Sequence, residues 1–145
     1  MFLKIPKKVE YGLISLAYIG NREPGIPVSR AQIAEANRIP IELLGKVLQA
    51  MNRAGLIDSV HGVHGGYRLT RSLREIAVGD VVQAIDGPLH LVPCTDGHSV
   101  CEQAEGCVIQ SPMARVEEHL RRYFSRLTLE ELFAEPTCCC QETVS

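Results

Sequence analysis

Cys94, Cys101 and Cys107 stand with six and then five residues between them, in a stretch otherwise rich in Thr, Asp, Gly, Ser and Glu. Loops of that length bend back readily, and Gly97 and Gly106 ease the turns, so three thiolates can wrap one metal centre. The spacing differs from the paired C-x-x-C knuckles of structural zinc sites. An iron–sulfur cluster, a zinc ion, and redox thiols or a disulfide all stay open on this pattern. Three thiolates also leave a fourth position to fill. His98 lies inside the loop and is the nearest candidate in the same chain, with Asp96, Glu102 and Glu105 close by. A fourth ligand other than thiolate would leave one iron open to oxygen, nitric oxide or iron loss, which suits a sensor better than an electron carrier. Cys138-Cys139-Cys140 is a different case: neighbouring cysteines bind one metal only under strain, and Pro136 with Gln141-Glu142-Thr143 reads as a disordered tail over 135–145.

The elements that must position the loop fit a short chain. With 145 residues and 46% hydrophobic content, it can bury one core plus an oligomerisation element. Residues 1–8 lack the apolar stretch of a signal peptide, and no later run is long enough to span a bilayer. The expectation is a cytoplasmic protein, whose reducing surroundings favour thiols as metal ligands or redox centres. The net charge of −2 hides a division: residues 1–74 carry eleven Lys/Arg against five Asp/Glu, and residues 75–145 carry four against twelve. A basic first half can approach a polyanion while the acidic half stays clear, so nucleic acid leads as partner.

Leu13, Ile14, Leu16 and Ala17 behind Lys7 and Lys8 predict an amphipathic helix over 6–20. Ser29 and Gln32 have capping-box spacing and start a second helix of about two turns. After a break at Arg38-Ile39, Pro40 can occupy the first turn of a third, with Leu43, Leu44, Val47, Leu48 and Met51 as one stripe and Gly55 as its stop. Two short helices of this kind make a helix-turn-helix, whose second helix enters a major groove. Its polar side carries Glu42, Gly45, Lys46 and Gln49. Gln49 can pair with adenine, Lys46 with guanine or phosphate, and Glu42 can accept from cytosine, while a bare Gly45 would let the backbone approach base edges. Ser29 joins them as a candidate DNA contact.

Residues 56–60 and 67–70 alternate like strands around the loop His61-Gly62-Val63-His64-Gly65-Gly66, which predicts a hairpin placed as a wing. His61, His64 and Arg68 are its candidate DNA contacts. Val78 to Ile85 then reads as a short helix turning Val81, Val82 and Ile85 inward. Ser111-Pro112 is expected to cap a long helix. Along it Met113, Val116, Leu120, Tyr123 and Leu127 form a seam for a twin, and Glu117, Glu118, Arg121 and Arg122 face away. Thr128 with Glu131 opens a last short helix. The expected fold class is thus mainly α, a winged helix-turn-helix with a β-hairpin wing. The expected parts are a DNA-binding domain over 1–88, a cysteine loop over 89–110, dimerisation and terminal helices over 111–134, and the tail. No phosphate loop or nucleophile elbow suggests an enzyme.

This order, with the wing run through Tyr67-Arg68-Leu69, resembles the IscR/NsrR-type transcriptional regulators over roughly residues 1–134. The run from Gly87-Pro88 through Cys94, Cys101-Glu102-Gln103 and Cys107 is similar to members that regulate Suf iron–sulfur assembly. The resemblance implies a winged-helix homodimer with crossing long helices, a palindromic double-stranded DNA operator, and an iron–sulfur cluster near the dimer interface, [2Fe-2S] favoured over [4Fe-4S]. It also implies a sensor of iron–sulfur, iron, redox or nitric oxide status, acting as a repressor. The best-known members have five residues in the first cysteine gap, where this chain has six. Some relatives use a carboxylate from the first helix of the other subunit, and Val9-Glu10-Tyr11 matches that place, which favours Glu10 over His98 as fourth ligand. The competing expectations are a winged-helix repressor with structural zinc or a thiol switch, and a metal-transfer scaffold that does not bind DNA.

Overall fold

The structure is a computed structural model that describes residues 4–95, 101–103 and 105–134. His98, Asp96 and Cys138-Cys139-Cys140 lie outside the described residues. The chain runs α1 (Lys7–Gly20), α2 (Arg30–Asn37), α3 (Ile41–Arg53), β1 (Ile57–Val60), β2 (Gly66–Leu69), α4 (Val78–Asp86), α5 (Gln110–Arg126) and α6 (Leu129–Phe133).

α1 buries Val9, Gly12, Leu16 and Ile19, whereas Ile14, expected on the apolar face, is exposed. Gly12 is there for space: a Cβ at that position would lie 2.2 Å from the Ile85 side chain of α4. α2 begins as its residues require. The Ser29 hydroxyl accepts from the Gln32 N–H at 3.1 Å, and the Ser29 N–H donates to the Gln32 side chain at 2.9 Å. Arg38 ends α2 in the left-handed conformation, with φ of 54°, and so turns the chain into α3. Pro40 stands just before α3, not in its first turn. Leu44, Val47, Leu48 and Met51 are buried, but Leu43 is 49% exposed, because a helix period of 3.6 places it about a quarter turn from the centre of that face.

β1 and β2 pair antiparallel, from Ile57 opposite Leu69 to Val60 opposite Gly66. A single rung extends this hairpin: the Val28 N–H donates to the Tyr67 carbonyl and the Tyr67 N–H to the Val28 carbonyl, each at 2.8 Å. The segment leading into α2 is thereby fastened to the wing. Gly66 permits this closeness, since an added Cβ there would lie 2.4 Å from the Val28 carbonyl oxygen, and Gly65 permits the tight hairpin loop, where a Cβ would lie 2.2 Å from the Val60 carbonyl oxygen.

The core joins α1, α3 and α4 through Leu16, Leu48, Met51 and Val81, and it also takes in Ile76, Val78 and Leu129. That last residue belongs to the far end of the chain. The Val78 N–H donates to the Leu127 carbonyl and the Leu129 N–H to the Ile76 carbonyl, both at 2.8 Å. Leu127 was expected in the dimer seam; instead it follows α5 and packs on the core. α5 therefore returns to the winged helix at its C-terminal end.

Candidate nucleic-acid interface and thiol segment

Glu42, Lys46 and Gln49 are exposed along one side of α3, in the order expected of a groove-reading helix. Gly45 lies among them but does not offer bare backbone. It is buried, and a Cβ there would lie 2.7 Å from Nη1 of Arg30 and 3.6 Å from its Cδ. The Arg30 side chain, from the first turn of α2, occupies the place that a residue-45 side chain would take. The hydroxyl of Ser29, beside it, serves the α2 cap. On the wing, His61 and His64 are exposed in the loop, with Val63 98% exposed between them. Arg68 lies on β2 opposite Asp58 and forms an ion pair with it at 3.2 Å. That pair lies on the surface, so it orients the guanidinium while contributing little stability.

The thiols Cys94, Cys101 and Cys107 are free and half-buried. Cys94 sits in a 3₁₀ turn, Pro93–Thr95. As a donor set, three unpaired and partly sheltered thiols fit an iron–sulfur or zinc centre. Among the described residues no three His, Cys, Asp or Glu side chains are grouped closely enough to hold a single metal ion.

The segment that bears Cys94 is held by a residue expected to face solvent. Glu117 of α5 is only 4% exposed. Its Oε2 accepts from the Leu91 N–H at 3.0 Å and from the Thr95 hydroxyl at 2.5 Å. Its Oε1 accepts from Arg121 at 2.8 Å and lies 3.3 Å from Nδ1 of His90. Burial pushes the carboxyl pKa up, but the hydrogen bonds from Thr95 and Leu91, with His90 and Arg121, outweigh it and hold the pKa below the ordinary carboxylate value. Arg121 also donates to the Leu89 carbonyl at 3.2 Å. Residues 89–95 are thus clasped onto α5 by charge-assisted hydrogen bonds.

α5 itself differs from expectation at its start: it opens at Gln110, with Ser111 inside the first turn and no side-chain cap. Ile109, Val116 and Tyr123 recur every seven residues and are 55%, 46% and 59% exposed, a stripe that no other part of the described chain covers. Glu10, on α1, is paired with Lys7 at 2.7 Å on an exposed face.

The family profile of Rrf2, iron-dependent transcriptional regulators, matches residues 5–135. The chain belongs to the Rrf2 family. It is 29% identical over 140 residues to the protein rrf2 of Nitratidesulfovibrio vulgaris, covering 94% of this chain and 91% of that one. Among solved structures it is similar to CymR, the global cysteine regulator of B. subtilis (TM-score 0.72, 27% identity, 90% of this chain and 96% of that one). It is equally similar in fold to T. potens IscR (TM-score 0.72, 26% identity, 100% and 96%). This Rrf2 chain is accordingly a winged-helix transcriptional regulator that binds DNA, and its relatives are regulators, not enzymes. No helix among its described residues is long and apolar enough to cross a membrane.

Two residues that shape these surfaces were not legible in the sequence. Arg30 had a faint signal, because a glycine within a helix costs about 1 kcal/mol and so asks for a packing reason, here the side chain lying across Gly45. Glu117 had none, since its partners Leu91 and Thr95 are more than twenty residues away in the chain.

Proposed function

We propose that this Rrf2 regulator binds a palindromic operator as a homodimer and that an iron–sulfur cluster on Cys94, Cys101 and Cys107 sets its affinity for DNA. The observation that carries this reading is the Glu117 clasp. It ties the Cys94 turn to α5, and the far end of α5 is pinned to Ile76 and Val78 of the reading head. Movement of the thiol segment therefore has a route of direct bonds to the DNA-binding elements. When bound, the cluster supplies redox- and gas-sensitive iron whose loss or oxidation changes which arrangement of the loop is favoured. A [2Fe-2S] form is favoured. A ligand acts on such a protein only through its different affinity for two arrangements of the thiol segment.

The exposed stripe of Ile109, Val116 and Tyr123 is the surface on which a second copy packs. Glu10 from that copy is the fourth ligand, released from Lys7 on engagement, with His98 as the alternative. The regulator acts as a cytoplasmic repressor, with iron–sulfur assembly genes as targets. The basic stretch through residue 74 faces DNA, with Glu42, Lys46 and Gln49 reading bases and Ser29, His61, His64 and Arg68 holding the backbone.

The test is anaerobic purification with iron, sulfide and visible-absorbance measurement, followed by operator titration with cluster-loaded and cluster-free protein. The expected result is a coloured dimer whose affinity differs between the two states; equal affinities would defeat the sensing mechanism. Replacing Glu10 with Ala should shift the visible spectrum. An unchanged spectrum there, with a shift in the His98 variant, reverses the ligand choice. Three free, half-buried thiols also suit a second reading, a thiol switch without iron. In that case the protein is colourless, and its DNA affinity follows thiol oxidation.

A further inference from the structure

We propose that Arg30, although it belongs to α2, reads a guanine in the major groove from the position that Gly45 leaves open on α3. Three observations meet at this point. Gly45 lies on the reading side of α3, one turn from Glu42 and from Gln49 and next to Lys46, all of which are exposed. In place of a side chain at 45, Nη1, Cδ and Cζ of Arg30 lie 2.7, 3.6 and 3.7 Å from where a Cβ would be. Among the described residues Arg30 forms no ion pair and no side-chain hydrogen bond, unlike Arg68, Arg74, Arg121 and Arg122, each of which is held by a carboxylate. A guanidinium laid across the reading helix and held by no acid has its donor fork free for an acceptor from outside. The paired acceptors O6 and N7 of guanine match that fork, and arginine to guanine is the commonest specific contact in major grooves.

The placement explains the glycine as well. Any side chain at position 45 would meet the guanidinium, so the recognition helix gives up a side chain of its own and receives a longer cationic one from its neighbour. Since the obstructed atoms are the far end of a flexible side chain, Gly45→Ala displaces Arg30 at little cost to the fold. Alanine also favours the helix over glycine. The substitution thus removes the reader without removing the scaffold.

The experiment selects duplexes from a randomised pool with the full-length wild-type protein and the Arg30→Ala, Gly45→Ala and doubly substituted variants, followed by titration of the winning duplex. The wild type is expected to select a guanine at one position in each half-site. Arg30→Ala and Gly45→Ala should each lose that preference alone, keep the others, and bind the wild-type duplex roughly ten- to a hundredfold more weakly. The double variant should be no weaker than the singles, since both remove one contact. A uniform loss of affinity with every base preference intact would make Arg30 a phosphate contact and overturn the proposal. Unchanged selection by either variant, with its thermal midpoint preserved, would overturn it too. Failure of the wild type to select any sequence would remove the DNA reading itself.

Discussion

Replacing Glu117 with alanine should release the Cys94 segment from α5, and the geometry sets the scale. The carboxylate accepts from a backbone N–H at 3.0 Å and from a hydroxyl at 2.5 Å, both partly buried. Hydrogen bonds to a charged partner contribute about 1.5–3 kcal/mol each, and breaking a buried charge network costs about 3–5 kcal/mol when it strands a partner. Arg121 is 46% exposed and regains water when Glu117 is lost, so its share is under about 1 kcal/mol. Rehydration of the small segment reduces the remainder, leaving about 2–4 kcal/mol for Glu117→Ala. Glu117→Gln keeps one oxygen to accept from Leu91 and Thr95 but turns an amide toward Arg121, which should cost about 1 kcal/mol.

Two measurements read this effect. In urea the midpoint of Glu117→Ala should fall by roughly 1–2 M, given a slope of about 1–3 kcal/mol/M. If the segment opens locally, the loss appears in the rate of Cys94 alkylation, resolved by peptide mass mapping from the other thiols; a 2 kcal/mol weakening raises that rate about 30-fold. The pH dependence has a fixed sign. Because the folded pKa of Glu117 is lowered, its contribution is present above the unfolded carboxylate value and disappears as pH falls through the folded one. The gap between wild type and Glu117→Gln should therefore be full above about pH 5 and shrink in stronger acid. An alanine variant with the wild-type urea midpoint and an alkylation rate within about twofold would refute the reasoning from burial and hydrogen bonding.

Leu129→Ala should destabilise the fold by about 2–5 kcal/mol in urea unfolding, because the side chain is fully buried in the core from beyond α5. Gly66→Ala should break the Val28 to Tyr67 rung, since its Cβ would lie 2.4 Å from the Val28 carbonyl oxygen, and lower operator affinity by at least tenfold in a gel-shift titration. Tyr123→Glu, which places charge in the exposed α5 stripe proposed as the dimer surface, should leave the protein monomeric in light scattering where the wild type is expected to be dimeric, with little change in the monomer's own stability.

What the residues declared in advance was mostly local. The Ser29/Gln32 and Thr128/Glu131 boxes are visible because donor and acceptor lie three residues apart, and both form. The hairpin is equally readable, since alternation and a pair of glycines fix its register. Glu117 and Glu118 show the limit. Both are glutamates with arginines one turn on, and the periodicity of α5 assigns both to the solvent side. Glu118 is 44% exposed and pairs with Arg121 and Arg122, as local spacing allows. Glu117 is buried because residues 89–95 fold over it, a partner that no helical period announces. For the same reason Leu127 looked like one more seam residue: only the pairing with Val78 reveals that the helix has already ended.

Those two non-local features bear on how the proposed regulation would be transmitted. The clasp fixes one part of α5 to the thiol segment, and the Leu127 and Leu129 bonds fix its end to the reading head. In the proposed mechanism a change in loop state acts on the reading heads through this linkage as well as through the chain's own join to α4, and strain larger than the clasp can bear breaks it. With the clasp at about 2–4 kcal/mol, the ratio of operator affinities that the proposed mechanism could transmit through it is at most about 30- to several hundredfold per protomer, at 1.4 kcal/mol per factor of ten. Weakening the joint must therefore shrink regulation before it shrinks binding. Glu117→Gln should bring the two affinities together while leaving the tighter-binding state able to bind DNA. A variant that lost binding in both states alike would place Glu117 in the scaffold and outside the transmission.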